Sequence, residues 1–336
     1  MSRPTCAGSP TRSGGTKPTT GWREDSDVGR AVRPRRPLSG TQFSLRRGRY
    51  EADVASVGAS LRTLPFDGRD LVVPFEADEL RPSFRGLTLA PWPNRVVGGA
   101  YRLAGVDHQL PITEPDRGHA LHGLAIWTDY EPREASSDRV VLAATIEPQA
   151  GYPWRVEVST PFSLDDHGLV QTVTGRNVGS GNAPWGTGPH PYLVGGRGRV
   201  DDWELELPAA DVLSVSGDLL VPTGLVAVDA EDPARFDFRR PRRLGNARID
   251  HAFTTLAREE DGTVRVRLRA DRTGVEITFD ATCPWVQVHT ADADDRIGLA
   301  VEPMTCAPDA FNSGTGLVLL EPGEAHTAGW RIAAID

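Results

Sequence analysis

Five stretches of this chain carry side chains able to move protons or hold hydroxyl groups. The most constrained is Trp185-Gly-Thr-Gly-Pro-His-Pro-Tyr-Leu193, which sets His190 between two prolines and behind Gly186 and Gly188. Pro191 disfavours helical backbone at His190, Pro189 fixes the approach to it, and the glycines admit close neighbours. Imidazole, with a reference pKa of about 6.5, gives or takes a proton near neutral pH after a small perturbation. The other stretches are Pro91-Trp-Pro-Asn94-Arg95 before Gly98-Gly99, His119-Ala-Leu-His122-Gly123, Asp250 ahead of the apolar run to Phe253, and Val301-Glu302-Pro303. An imidazole and a carboxylate on opposite sides of a substrate, such as His190 and Glu302, can transfer two protons, each transfer contributing about 10²- to 10⁴-fold. Arginine, asparagine, a second histidine and an aspartate are the donors and acceptors that a polyhydroxylated substrate requires. Trp92, Trp154, Trp185 and Trp285 are each either core residues or platforms for the apolar face of a sugar ring.

Other chemistries find no support. Lys17 is the only lysine, which argues against Schiff-base enzymes and a phosphate-binding P-loop. There is no Gly-x-Ser-x-Gly elbow for a serine hydrolase. Zinc binding on a helix needs histidines at i and i+4, whereas His119 and His122 are spaced for opposite faces of a strand. No metal and no cofactor are expected. Cys6, Cys283 and Cys306 form neither a disulfide framework nor a zinc cluster, which suits a reducing, cytoplasmic setting. A net charge of −9 gives no electrostatic reason to expect nucleic acid or a membrane surface as partner. No apolar run reaches the length of a membrane span, and no feature of the sequence selects an oligomeric state.

The elements that must position these groups read as strands. Apolar residues come in short alternating runs among 35 glycines and 27 prolines, a pattern of β structure and turns. Expected strands include Phe43 to Arg49, Tyr50 to Val57, Leu71 to Pro74, Arg139 to Ile146, Trp154 to Thr160, Leu169 to Val178 and Trp203 to Leu207. Val264, Val266 and Leu268 alternate with arginines, and Asp271-Arg-Thr-Gly274 turns that strand into Val275 to Phe279. Trp285 to Thr290, Ile297 to Val301, Leu317 to Leu320 and His326 to Ile332 complete the series, and no segment reads as a helix. Residues 210–246 have no clear period and are expected to form an excursion over one end. Residues 1–38, rich in Ser, Gly, Pro and Arg and poor in aliphatics, are expected to be a disordered extension. The expected fold is all-β, one large antiparallel β-sandwich over residues 39–336.

Taken in order, Asn94-Arg95 with its following glycines, Leu121-His122-Gly123, Gly-Pro-His190-Pro-Tyr, Asp250 before an aromatic, and Val-Glu302-Pro resemble the aldose 1-epimerases (galactose mutarotases). The resemblance runs from about residue 40 to the C-terminus. It implies a galactose mutarotase-like supersandwich, a sugar as small-molecule partner, and no metal or cofactor. By the same resemblance His190 is the acid that protonates the ring oxygen, and Glu302 is the base that takes the anomeric proton. Arg95, His122, Asp250 and Asn94 bind the substrate. The chain departs from the galactose branch at the His190 segment and at Leu124, which bears on the sugar and not on the chemistry. A hexose-phosphate epimerase using Arg81, Arg85 and Arg95, a sulfonated-hexose epimerase and a non-catalytic carbohydrate-binding module are the alternatives. The resemblance assigns no role to His119, His251 or His289, which are read as structural or exposed.

Overall fold

The computed structural model describes residues 35–336. Of the extension expected at 1–38, residues 1–34 lie outside the described residues. The compact unit begins at Arg36, whose guanidinium donates to Asp129 at 2.7 Å. Every pairing between strands of the named sheets is antiparallel, as in the expected sandwich.

A nine-stranded sheet forms one layer. Its central members Val156–Asp165 and Gly168–Asn177 alternate buried and partly exposed residues, the pattern of a sheet with one face on the core and one toward water. The predicted hairpin is present: Val264–Ala270 pairs with Thr273–Phe279, with Ala270 opposite Thr273. Its outward Arg267 meets Glu276 at 2.6 Å.

A six-stranded sheet runs in the order Tyr192–Leu193, Leu299–Met304, Trp285–His289, Asp250–Leu256, Ala209–Ser216, Val221–Ala227. Val286, Val288, Leu299, Val301 and Phe253 turn one face of this sheet into the core, against Val158, Phe162, Val266, Ile277 and Ile332 of the nine-stranded layer. All six residues of Leu299–Met304 are buried, because its other face is covered as well. That second face carries the polar residues described below.

Several expectations require correction. Of residues 210–246, expected as an excursion, the part up to residue 227 is not one: Ala209–Ser216 and Val221–Ala227 form a hairpin that extends the six-stranded sheet. Leu71 to Pro74 forms no strand, and Val72 makes only an isolated bridge to Leu193. Two four-residue helices, Pro233–Phe236 and Ala310–Ser313, interrupt an otherwise β chain. Among the described residues no helix is long and apolar enough to cross a membrane.

Candidate active site

Strand register gathers one wall of the site. Glu302 lies opposite Gln287, and His289 lies opposite Asp250. Because side chains alternate faces along a strand, Gln287 and His289, two apart, share a face. Glu302, Gln287, His289 and Asp250 therefore project together from the six-stranded sheet. Tyr192 joins them through its pairing with Ala300. Farther along the same face the surface turns apolar at Leu213, Ala252, Trp285 and Met304.

The proline-flanked segment brings His190 to this wall. Its amide donates to the Leu87 carbonyl at 3.0 Å, and its carbonyl accepts from Gly86 at 2.8 Å. Gly188 is needed for the approach, since a β-carbon there would lie 2.6 Å from the Pro303 carbonyl oxygen, beside Glu302. The imidazole Nε2 sits 3.4 Å from Glu302 Oε1, with both side chains almost fully buried. Tyr192 stacks on the ring at 5.3 Å.

Loops supply the opposite wall. Arg95 and Leu121 pair across a short two-stranded ladder, and His122 donates its amide to the Asn94 carbonyl at 2.8 Å. Ser83, Phe84, Asn94 and His122 all take positive φ values. Such backbone costs roughly 1–3 kcal/mol per residue and persists where the surroundings enforce it, commonly at functional sites. The His122 ring lies edge-on to His190 at 4.8 Å and to Phe84 at 4.9 Å. The Asn94 side chain accepts from the Arg95 amide at 2.9 Å, so it shapes its own turn.

Two residues not anticipated from sequence hold the others. Glu114 receives Arg95 in a fork, at 2.7 and 3.0 Å, and also receives Arg117 at 2.6 Å. Gln287 donates to Asp250 at 2.6 Å, while Arg95 stands 3.8 Å from the other Asp250 oxygen. His289 also belongs here, against the expectation of no role: it lines the cavity with its Nδ1 3.9 Å from Asp250. A signal for Gln287 and His289 was available in Trp285-Val-Gln-Val-His289, where polar residues alternate with valines in a run too apolar to be exposed.

Electrostatics follow from burial. Desolvation pushes the Glu302 carboxyl well above the usual carboxylate range, with the Asp250 charge adding to the effect and Arg95 opposing it. Desolvation, then His289, brings His190 down to about 3. His122 is likewise held well below the usual imidazole range by burial, then by His190 and Arg95. Arg95 is raised: burial opposes its charge, but the Glu114 fork and the Asp250 and Glu302 charges outweigh it.

The residues enclose a cavity of about 270 Å³ lined by Phe84, Asn94, Arg95, His122, His190, Tyr192, Asp250 and Glu302 among others. This is just below the roughly 300–1,000 Å³ usual for small-molecule sites. A larger concavity of about 960 Å³ around Pro233, Asp237 and Arg239 has no histidine in its lining, so size alone does not locate the chemistry.

The remaining expectations sort themselves by place. None of the four tryptophans lines the cavity; Trp92, Trp185 and Trp285 are buried, and its aromatic surface comes from Phe84, Tyr192 and the histidines. His119 is structural, its Nδ1 accepting from Gly98 and its Nε2 lying 2.8 Å from the Leu219 carbonyl. His251 packs against Phe236, away from the cavity. Arg81 donates to Val57 and Ser60, Arg85 faces Asp294 at 3.9 Å, and Arg95 is taken by Glu114. The three arginines thus do not converge on a common anion position.

Residues 41–333 match the family model described as aldose 1-epimerase. The chain belongs to the aldose 1-epimerase family. Within that family it is similar to the uncharacterized protein YihR of Escherichia coli K12, with 38% identity over 289 residues, 86% of this chain and 91% of that one. The uncharacterized protein YphB of the same organism is 26% identical, over 86% of this chain and 97% of its own. Among solved structures the fold is similar to a GalM/aldose epimerase homologue from C. elegans, with TM-score 0.77, 19% identity and coverage of 88% and 98% of the two chains. A galactose 1-epimerase from Lactobacillus acidophilus superposes with TM-score 0.71, 20% identity and coverage of 86% and 92%. The fold is therefore shared with these structures at 19% and 20% identity.

Proposed function

We propose that this member of the aldose 1-epimerase family interconverts the α and β anomers of a hexose by acid–base ring opening and reclosure. The observation that carries this reading is the buried His190–Glu302 pair, 3.4 Å apart, facing a cavity otherwise lined by hydroxyl-binding groups. Glu302 takes the proton of the anomeric hydroxyl while His190 delivers one to the ring oxygen. The carbon–oxygen ring bond breaks, the carbonyl end rotates, and the reverse transfers close the ring on the other face. Net protons balance over the cycle and no carbon changes its oxidation state overall. Arg95, His122 and Asp250 hold hydroxyls, with Glu114 and Gln287 keeping Arg95 and Asp250 in place. Asn94 contributes through its turn.

Burial raises Glu302 and lowers His190, so a proton held by the pair rests on the carboxyl in preference to the imidazole. Passing that proton from the carboxyl to the imidazole produces the carboxylate and imidazolium that the reaction uses. Substrate hydroxyls on both groups favour that form by replacing part of their lost solvation. Cys283 and Cys306 are buried and unpaired, compatible with a reducing cytoplasm.

Polarimetry on freshly dissolved single anomers of neutral, phosphorylated and sulfonated hexoses tests the activity and ranks the substrates. Glu302→Gln and His190→Asn are expected to lower the turnover rate by about 10²-fold or more while changing substrate affinity far less. A folded Glu302→Gln protein that anomerises every responsive sugar at the wild-type rate overturns the assignment of the base. Saturable sugar binding with no rate enhancement would instead support the carbohydrate-binding module.

A further inference from the structure

His122, His190 and Glu302 make a second kind of site at the floor of the same cavity. One ligand atom from each lies within 4.8 Å of the others, and all three residues are buried. His122 Nδ1 has no hydrogen-bond partner among the described residues. Two imidazoles and a carboxylate with an open fourth position form a donor set that suits zinc. At zinc–ligand bonds of about 2.1 Å, tetrahedral ligands stand roughly 3.4 Å apart. The His190 Nε2 to Glu302 Oε1 separation is already 3.4 Å, and His122 offers its ring nitrogen within 4.8 Å of the other two ligand atoms. The spacing of His119 and His122 concealed this arrangement, since the second histidine comes from the proline-flanked segment and the carboxylate from a distant strand.

We propose that these three residues bind a divalent transition-metal ion of the zinc class, and that the bound ion excludes the sugar. The inference on exclusion rests on the sugar site proposed above; the inference on metal binding does not. The ion would take the lone pairs that move protons in the epimerase reaction, so its effect is inhibition. Asp250 and Gln287, bonded to each other, remain outside the donor set.

The test uses the full chain without a histidine tag, stripped of metal by a chelator, and titrated with Co²⁺ as a visible probe. One saturable tetrahedral Co²⁺ spectrum per chain is expected, displaced by Zn²⁺, with paramagnetically shifted imidazole resonances from two histidines. His122→Asn and Glu302→Gln should each weaken binding by about tenfold or more, whereas His167→Asn, on an exposed turn, should not. If a variant fails to fold, the count of shifted histidines in the wild type decides. Absence of saturable binding, or binding unaltered in both folded variants, overturns the metal site. In anomerisation assays Zn²⁺ should raise the apparent KM and leave kcat unchanged, with recovery on chelation; inhibition through kcat alone overturns the exclusion. A protein without anomerase activity would still give the Co²⁺ result, so the two readings fail separately.

Discussion

Glu302 and His190 leave their ordinary titration ranges in opposite directions for one reason: both sit where water cannot solvate their charged forms. The active state holds one proton on the pair, so the rate should fall at acid pH when a second proton binds and at alkaline pH when the last is lost. Burial moves the acid limb below the usual imidazole range and the alkaline limb above the usual carboxylate range. The two limbs report apparent values of the pair. Stability has matching signs. The raised Glu302 contributes fully below the ordinary carboxylate range, and its contribution is lost as pH rises through the folded value. The lowered His190 contributes fully above its ordinary value of 6.5 and progressively less as pH falls toward about 3. Melting curves across pH should therefore show a decline above the ordinary carboxylate range that is reduced in Glu302→Gln. Parallel declines in the two proteins would mean that Glu302 ionises freely in the fold.

Among the elements, the short Gly188–Pro189 strand bears most directly on the site. It lies against Leu299–Met304 closely enough that a side chain at Gly188 meets the Pro303 carbonyl, a backbone atom that cannot rotate away. Gly188→Ala should cost roughly 1–3 kcal/mol of stability and push His190 away from Glu302. The expected readout is a lower melting temperature together with a loss in kcat larger than any change in KM. A variant that melts lower but keeps the wild-type rate would show that the His190 segment relaxes without disturbing the pair. The edge hairpin Ala209–Ser216 and Val221–Ala227 illustrates the opposite case. Ala209–Ser216 buries the adjacent Val212 and Leu213 together, and Val221–Ala227 buries none of its residues, so neither carries a two-residue period and neither strand was legible as such. Val264–Ala270, buried on one face only, was.

At the scale of the whole molecule, the compact unit runs from Arg36 to Asp336, and its core joins the nine- and six-stranded layers. Deleting residues 1–34, whose composition cannot support a core, should leave both the melting temperature and the anomerisation rate unchanged. Arg36 should be kept in that truncation because it reaches Asp129 and Ser56. A fall of many degrees in the melting temperature would assign those residues a place in the fold.

Composition and alternation alone determined that this chain is a β-sandwich, since burying one face of a strand imposes a two-residue period wherever the other face is wet. Residue type and proline placement likewise singled out His190, and the order of short motifs singled out Asn94, Arg95, His122, Asp250 and Glu302. What only the tertiary structure decided is which of these polar groups meet. Glu114 on Arg95, Gln287 on Asp250 and His289 in the cavity wall depend on strand register and on loops that pack from elsewhere, and a one-residue shift of register would send each strand residue to the other face. The same holds for the tryptophans, whose large apolar surface suits a sugar ring and a core equally well. Packing buried Trp185 completely and left the cavity to Phe84 and Tyr192, because which apolar surface faces a ligand depends on what the rest of the chain covers.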